Sequence, residues 1–82
     1  MSGVELMETK LSKLVQAMHE GRYDDALSIA AKFPQLGDHR ARIVRGHEAN
    51  KHARFYKSMG KDIESLRQDG IQAIRERYAD HL

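Results

Sequence analysis

The sequence predicts an all-α protein, a compact bundle of four to five short helices forming one domain over residues 1–82. Three observations carry this. Apolar residues recur at three- and four-residue intervals within separate segments, and no stretch alternates apolar with polar as a half-buried strand does. Breakers at Gly21, Pro34, Gly37 and Gly60 divide the chain into pieces of helical length.

The first helix is expected from Val4 to about Glu20. Val4, Met7, Leu11, Leu14, Val15 and Met18 fall within one narrow arc, with charges opposite. Gly21 stops it, because glycine accepts the left-handed backbone that follows a helix end. A second helix, capped by Asp24 or Asp25, runs to about Phe33. Ala26, Leu27, Ile29, Ala30, Ala31 and Phe33 make it apolar around much of its circumference, so it should be largely buried. Pro34 ends it, and Gly37 supports a turn through PQLGD. A third helix is expected from Asp38 to about His52, with a thin apolar side of Ile43, Gly46, Ala49 and Ala53 and with Val44 beside it. The following ARFYKSMG suits a short helix ending at Gly60. The last helix starts from an Asp62 cap and runs to about Ala79, burying Ile63, Leu66, Ile71, Ala73, Ile74 and Tyr78. Gly70 inside it costs roughly 1 kcal/mol relative to alanine, which points to a neighbouring backbone packed closely there.

A chain of 82 residues buries only about 60–65% of the surface its unfolded form exposes, so its core is modest. It has no cysteine, which suits a reducing compartment. No apolar run approaches the ~18 residues of a membrane span. The opening MSGVELMETK lacks a basic-then-apolar signal pattern. The expected location is the cytoplasm, with no membrane partner.

Charge is informative by region. The net charge is only +2, yet from Asp38 to Asp62 seven basic residues stand against three acidic ones. His39, His47 and His52 lie in the same region. Arg40, His47, Lys51 and Arg54 would fall within roughly 60° of one another on a continuous helix. Arg42 and Arg45 emerge on other sides, and Lys57 and Lys61 follow. This basic patch is the candidate binding surface, for protein or nucleic acid, with Phe55 and Tyr56 as aromatic members. Arginine and aromatic residues are favoured at protein hot spots. Phosphates could be tracked by the same cations, with Tyr56 available for stacking. A solvated helix face would look similar.

Residues 46–52, GHEANKH, would match the HExxH zinc helix if they were one residue shorter between the histidines. Histidines four apart lie about 40° from eclipsed, whereas His47 and His52, five apart, lie about 140° around a regular helix. Lys51 occupies the place of the second ligand. One peptidase family, the dipeptidyl peptidases with an HExxxH site, is similar in tolerating the extra residue through a bulged helix. The match covers only His47, Glu48 and His52, and a third ligand would have to come from a carboxylate such as Glu64. No metal site and no cofactor are expected. Nor is catalysis: there is no cysteine nucleophile, and no serine lies in an elbow-like turn. No phosphate-binding glycine motif occurs. SMGKD could rest an anion near Lys61, but Asp62 would repel it.

The stretch LVQAMHEGRYDDALSIAAKFP, residues 14–34, resembles one tetratricopeptide-type helical hairpin. Gly21, Tyr23, Ala26 and Leu27 follow its G-x-Y-x-x-A-L turn pattern, and Pro34 closes it. No second copy follows, so the likeness implies a helix-hairpin packing solution. FPQLGDHRARIVRGHEA, continuing through RFYKSMGKD to GIQAIRERY, resembles small uncharacterised proteins carried by bacteriophages and plasmids. That likeness implies no known activity, but it favours binding to a host or phage macromolecule.

The expected function is therefore non-catalytic binding: a small mobile-element adaptor or inhibitor engaging a host or phage protein through a basic helical surface. The alternative is a nucleic-acid-binding accessory or regulatory protein contacting phosphates with the same residues. A helix-turn-helix is conceivable across PQLGD, although that turn is longer than the ~3–4 residues usual for the motif. Surplus apolar surface on the second helix would allow a homodimer.

Overall fold

A computed structural model describes residues 3–34 and 36–82, with side chains from Lys10 onward. Val4 and Met7 lie outside the described side chains, and Gln35 outside the described residues. Five helices follow in order: α1 (Gly3–His19), α2 (Tyr23–Ala31), α3 (Arg40–Lys51), α4 (Ala53–Ser58) and α5 (Ile63–Arg77). Short 3-10 turns at Gly37–His39 and Ala79–His81 complete the order. The fold is all-α, and among the described residues there is no strand.

Two glycines end helices in the same way. At Gly21 (φ +75°) and Gly60 (φ +77°) the chain turns left-handed. Arg22 N–H then reaches back to Ala17 O at 2.8 Å, and Lys61 N–H to Tyr56 O at 3.0 Å. These bonds satisfy carbonyls that the helix end would otherwise leave open. Asp62 caps α5 as expected, accepting from Ser65 N–H at 3.1 Å.

Other expected caps are not made. Ala26 N–H bonds to Arg22 O at 3.0 Å, so α2 begins at Tyr23 and Asp24 and Asp25 fall inside its first turn. There they still suit the positive end of the helix, and they take arginine partners instead. Asp38 likewise lies in the 3-10 turn ahead of α3, which has no side-chain cap.

α2 is the centre of the bundle, packing against α1, α3 and α5, while α3 and α5 form the most extensive pair. Leu14, Ala26, Leu27, Ala30, Leu36, Ile43, Ile71 and Ile74 are essentially free of solvent. Phe33 joins them, meeting Tyr78 edge-on with ring centroids 5.9 Å apart. Ile29 and Ala31 pack against this core from its margin. The surplus apolar surface expected on α2 is therefore covered by the chain itself.

α3 and α5 approach so closely because each places a glycine at the crossing. A Cβ built on Gly46 would stand 3.2 Å from Gly70 Cα, and one on Gly70 would stand 3.2 Å from Gly46 Cα. Without side chains the two backbones meet directly, as the interior Gly70 suggested.

Arg42 spans the same pair of helices from outside. It donates to Asp69 at 2.9 Å and to Glu76 at 2.9 Å, and His39 Nε2 lies 3.5 Å from Glu76. The guanidinium holds the Glu76 carboxyl below its ordinary value of 4.5. A carboxylate whose pKa is lowered on folding stabilises the protein above that ordinary value, and the contribution is lost as pH falls through the lowered one. Urea midpoints are thus expected to fall as pH drops below 4.5, and to fall less in Arg42→Gln. An equal fall in the variant would show that the network does not carry the acid sensitivity.

Candidate binding surface

The structure sorts the basic residues by what they already hold. The chain has eight arginines. Arg22 pairs with Glu20 at 2.7 Å and with Asp25 at 3.0 Å, and Arg67 with Asp24 and Glu64, both at 2.6 Å. Arg42 is tied to α5 as described. Arg75 lies over the Tyr23 ring at 5.5 Å and Arg77 over Tyr78 at 5.1 Å. Arg40 donates to Phe33 O at 2.8 Å and to Pro34 O at 3.0 Å, satisfying the chain as it leaves α2. Only Arg45 and Arg54 lack a partner among the described residues.

The expected stripe of Arg40, His47, Lys51 and Arg54 is therefore not assembled as one outward face. Arg40 is occupied by backbone carbonyls. His47 is half-buried, and its Nδ1 is shielded from solvent without a partner among the described residues. Arg54 belongs to a different helix, because α3 stops at Lys51 and His52 (φ −118°, ψ 45°) redirects the chain into α4. The wheel had assumed a continuous helix. The turn instead brings α4 against both α3 and α5.

The redirection leaves a smaller and more uniform patch. From Ala49 to Lys61 there is no acidic residue, while Lys51, Arg54, Lys57 and Lys61 are all exposed and unpaired among the described residues. On the same stretch Phe55 is 60% exposed and Met59 50% exposed. Met59 N–H bonds to Phe55 O at 3.3 Å, so the two side chains are helical neighbours, one turn apart. Phe55 meets Tyr56 edge-on at 5.7 Å, and Tyr56 is half-buried. Sequence reasoning named Phe55 and Tyr56 and missed Met59, four residues after Phe55, which its exposure brings into the patch. Arg45 is exposed on α3, apart from this patch in sequence and followed by Glu48.

GHEANKH folds as the end of α3 and its exit. His52 pairs with Glu48 at 3.4 Å, and Lys51 is exposed between them. Among the described residues no group of three His, Cys, Asp or Glu is placed to hold a metal ion. A shallow cleft lies along α1, where Leu11, Val15, His19 and Glu20 meet His81, and it is open to solvent. No helix among the described residues is long and apolar enough to cross a membrane.

No family model matches the chain, and comparisons with curated proteins and with solved structures return no match. The residues and their geometry are therefore the whole basis for a functional reading.

Proposed function

We propose that this chain is a non-catalytic binding protein, an adaptor or inhibitor that engages a partner protein through α4 and its flanks. The observation that carries the reading is the pairing of unneutralised charge with exposed apolar surface. Six of eight arginines are engaged within the chain. The stretch Ala49–Lys61 keeps four exposed cations, unpaired among the described residues, beside Phe55 and Met59. Aromatic and methionine side chains are enriched in interfaces, and charge at the rim steers association. The reading places the protein in the cytoplasm, the kind of compartment that suits a cysteine-free chain.

Nucleic-acid binding is the second reading, and the same four cations favour it. It is weakened by the loss of Arg40 and Arg42 to internal contacts, which reduces the phosphates the chain can neutralise. Fluorescence anisotropy with labelled random duplex and single-stranded DNA separates the two. The expected result is no binding near physiological salt. Binding that weakens steeply with added salt, and again in a Lys51/Arg54/Lys57/Lys61→Ala variant, would replace the protein-binding reading with phosphate contact.

A further inference from the structure

Resting on the reading just given, we propose that the occupant of the α4 surface is an acidic peptide segment that also carries large apolar side chains. Two separate features of the patch set these two requirements.

The first is charge. Lys51, Arg54, Lys57 and Lys61 lie within eleven residues with no acidic residue among them, Glu48 and Asp62 bounding the stretch so that Arg54 and Lys57 stand farthest from negative charge in sequence. Three arginines elsewhere are compensated within the chain: carboxylates from α2 and α5 sit on Arg67, those from α5 sit on Arg42, and Glu20 and Asp25 sit on Arg22. What sets the α4 stretch apart is that four exposed cations follow one another with no carboxylate among them. A partner bringing carboxylates would supply there what Asp69 and Glu76 supply to Arg42.

The second feature is apolar. Among the described residues the large exposed hydrophobic side chains are Phe55, Met59 and Leu82. Two of the three, Phe55 on α4 and Met59 at its C-terminal cap, lie inside the stretch that carries the exposed cations. A purely electrostatic ligand has no use for them, since it would be held by the lysines and arginine alone and released by salt. Phe55 offers a broad face held in orientation by its perpendicular contact with Tyr56 (85° between planes), which reduces the freedom lost on docking. Met59 supplies an adaptable neighbour that conforms to different apolar side chains. Charge would orient the partner, and the Phe55–Met59 pair would anchor it.

The test is a selection of random dodecapeptides displayed on yeast against the full chain. Recovered peptides are then rescreened on Phe55→Ser, Met59→Ser, the double variant and Lys51/Arg54/Lys57/Lys61→Ala. Both apolar residues are exposed, so these variants are expected to keep the far-UV circular dichroism of the parent, and the two single variants serve if the double one does not. The expected peptides are rich in Asp and Glu with at least one large apolar residue. Retention should drop at least tenfold on the double variant and on the charge variant. Acid-rich peptides retained equally by the Phe55 and Met59 variants would overturn the inference while leaving a basic protein-binding surface intact. Peptides without an acidic excess, or no enrichment at all, would overturn both. A dimer in light scattering that Phe55→Ser dissolves would assign the patch to a second copy of the chain and overturn the inference as well.

Discussion

Gly46→Leu is expected to abolish cooperative folding or to lower the thermal midpoint by roughly 12–24 °C, the equivalent of at least ~3 kcal/mol in a domain of this size. Even a Cβ at position 46 would stand 3.0 Å from Leu66 O and 3.2 Å from Gly70 Cα, with Leu27 Cδ2 at 3.3 Å. The first two atoms are backbone of α5 and cannot rotate away. Leucine adds three more carbons, which find space only if α3 and α5 move apart. Overpacking alone costs about 1–3 kcal/mol, and separating the most extensive helix pair also uncovers Ile43, Ile71 and Ile74. The total margin for a chain of this length is roughly 4–12 kcal/mol. Leucine is the better helix former by about 1 kcal/mol, so any loss must come from packing. Ala41→Leu, on the exposed side of the same helix, is the control and should leave the midpoint within a few degrees of the parent. A Gly46→Leu midpoint equally close to the parent would show that the glycine crossing is not needed.

The parts of the fold that sequence reasoning captured are those governed by neighbours in the chain. Gly21 and Gly60 turn left-handed at the ends of α1 and α4, and Asp62 caps α5, because each acts on backbone groups within five residues. The interior Gly70 pointed to a close neighbour through its helix penalty, but nothing in the sequence identified Gly46 as that neighbour. The break at His52 carried no signal either. Neither glycine nor proline is nearby, and the apolar spacing continues smoothly into Ala53. The break sets α4 against both α3 and α5, a tertiary arrangement that local spacing does not encode.

The candidate surface was legible as a region but not as a set of residues. A helical wheel treats every outward cation alike. In the fold, Arg42 reaches Asp69 and Glu76, 27 and 34 residues away, and Arg40 reaches carbonyls beyond a turn. Those pairings depend on how α3 sits on α5 and on the end of α2. They engage one residue of the expected stripe, Arg40, and one candidate beside it, Arg42, in contacts within the chain. Met59 escaped notice for the converse reason: a methionine at helical spacing is ordinarily core, and only its 50% exposure marks it as surface.

Leu27→Ala is expected to cost about 2–5 kcal/mol, the range for emptying a fully buried leucine site, and to couple to Gly70 in a way that tests the crossing atom by atom. Leu27 is completely buried, and its Cδ2 lies over both glycines. In the parent, the Cβ of Gly70→Ala would meet Leu27 Cδ2 at 2.9 Å before Arg42 O at 3.1 Å and Gly46 Cα at 3.2 Å. Removing the leucine side chain removes the nearest obstacle and opens a cavity that the new methyl partly fills. Gly70→Ala should therefore be less harmful, or even stabilising, in the Leu27→Ala background. The interaction energy from urea midpoints should reach at least ~0.5–1 kcal/mol, within the range seen for residues in contact. The same cycle with Gly46→Ala should give a smaller value, because there Leu27 is only the third obstacle, behind two backbone atoms of α5. Additive behaviour for Leu27 with Gly70 would mean that backbone crowding by Arg42 and Gly46, and not the leucine, sets the tolerance of the crossing. The order of the two coupling energies thus reports whether α2 wedges into the α3–α5 contact or merely covers it.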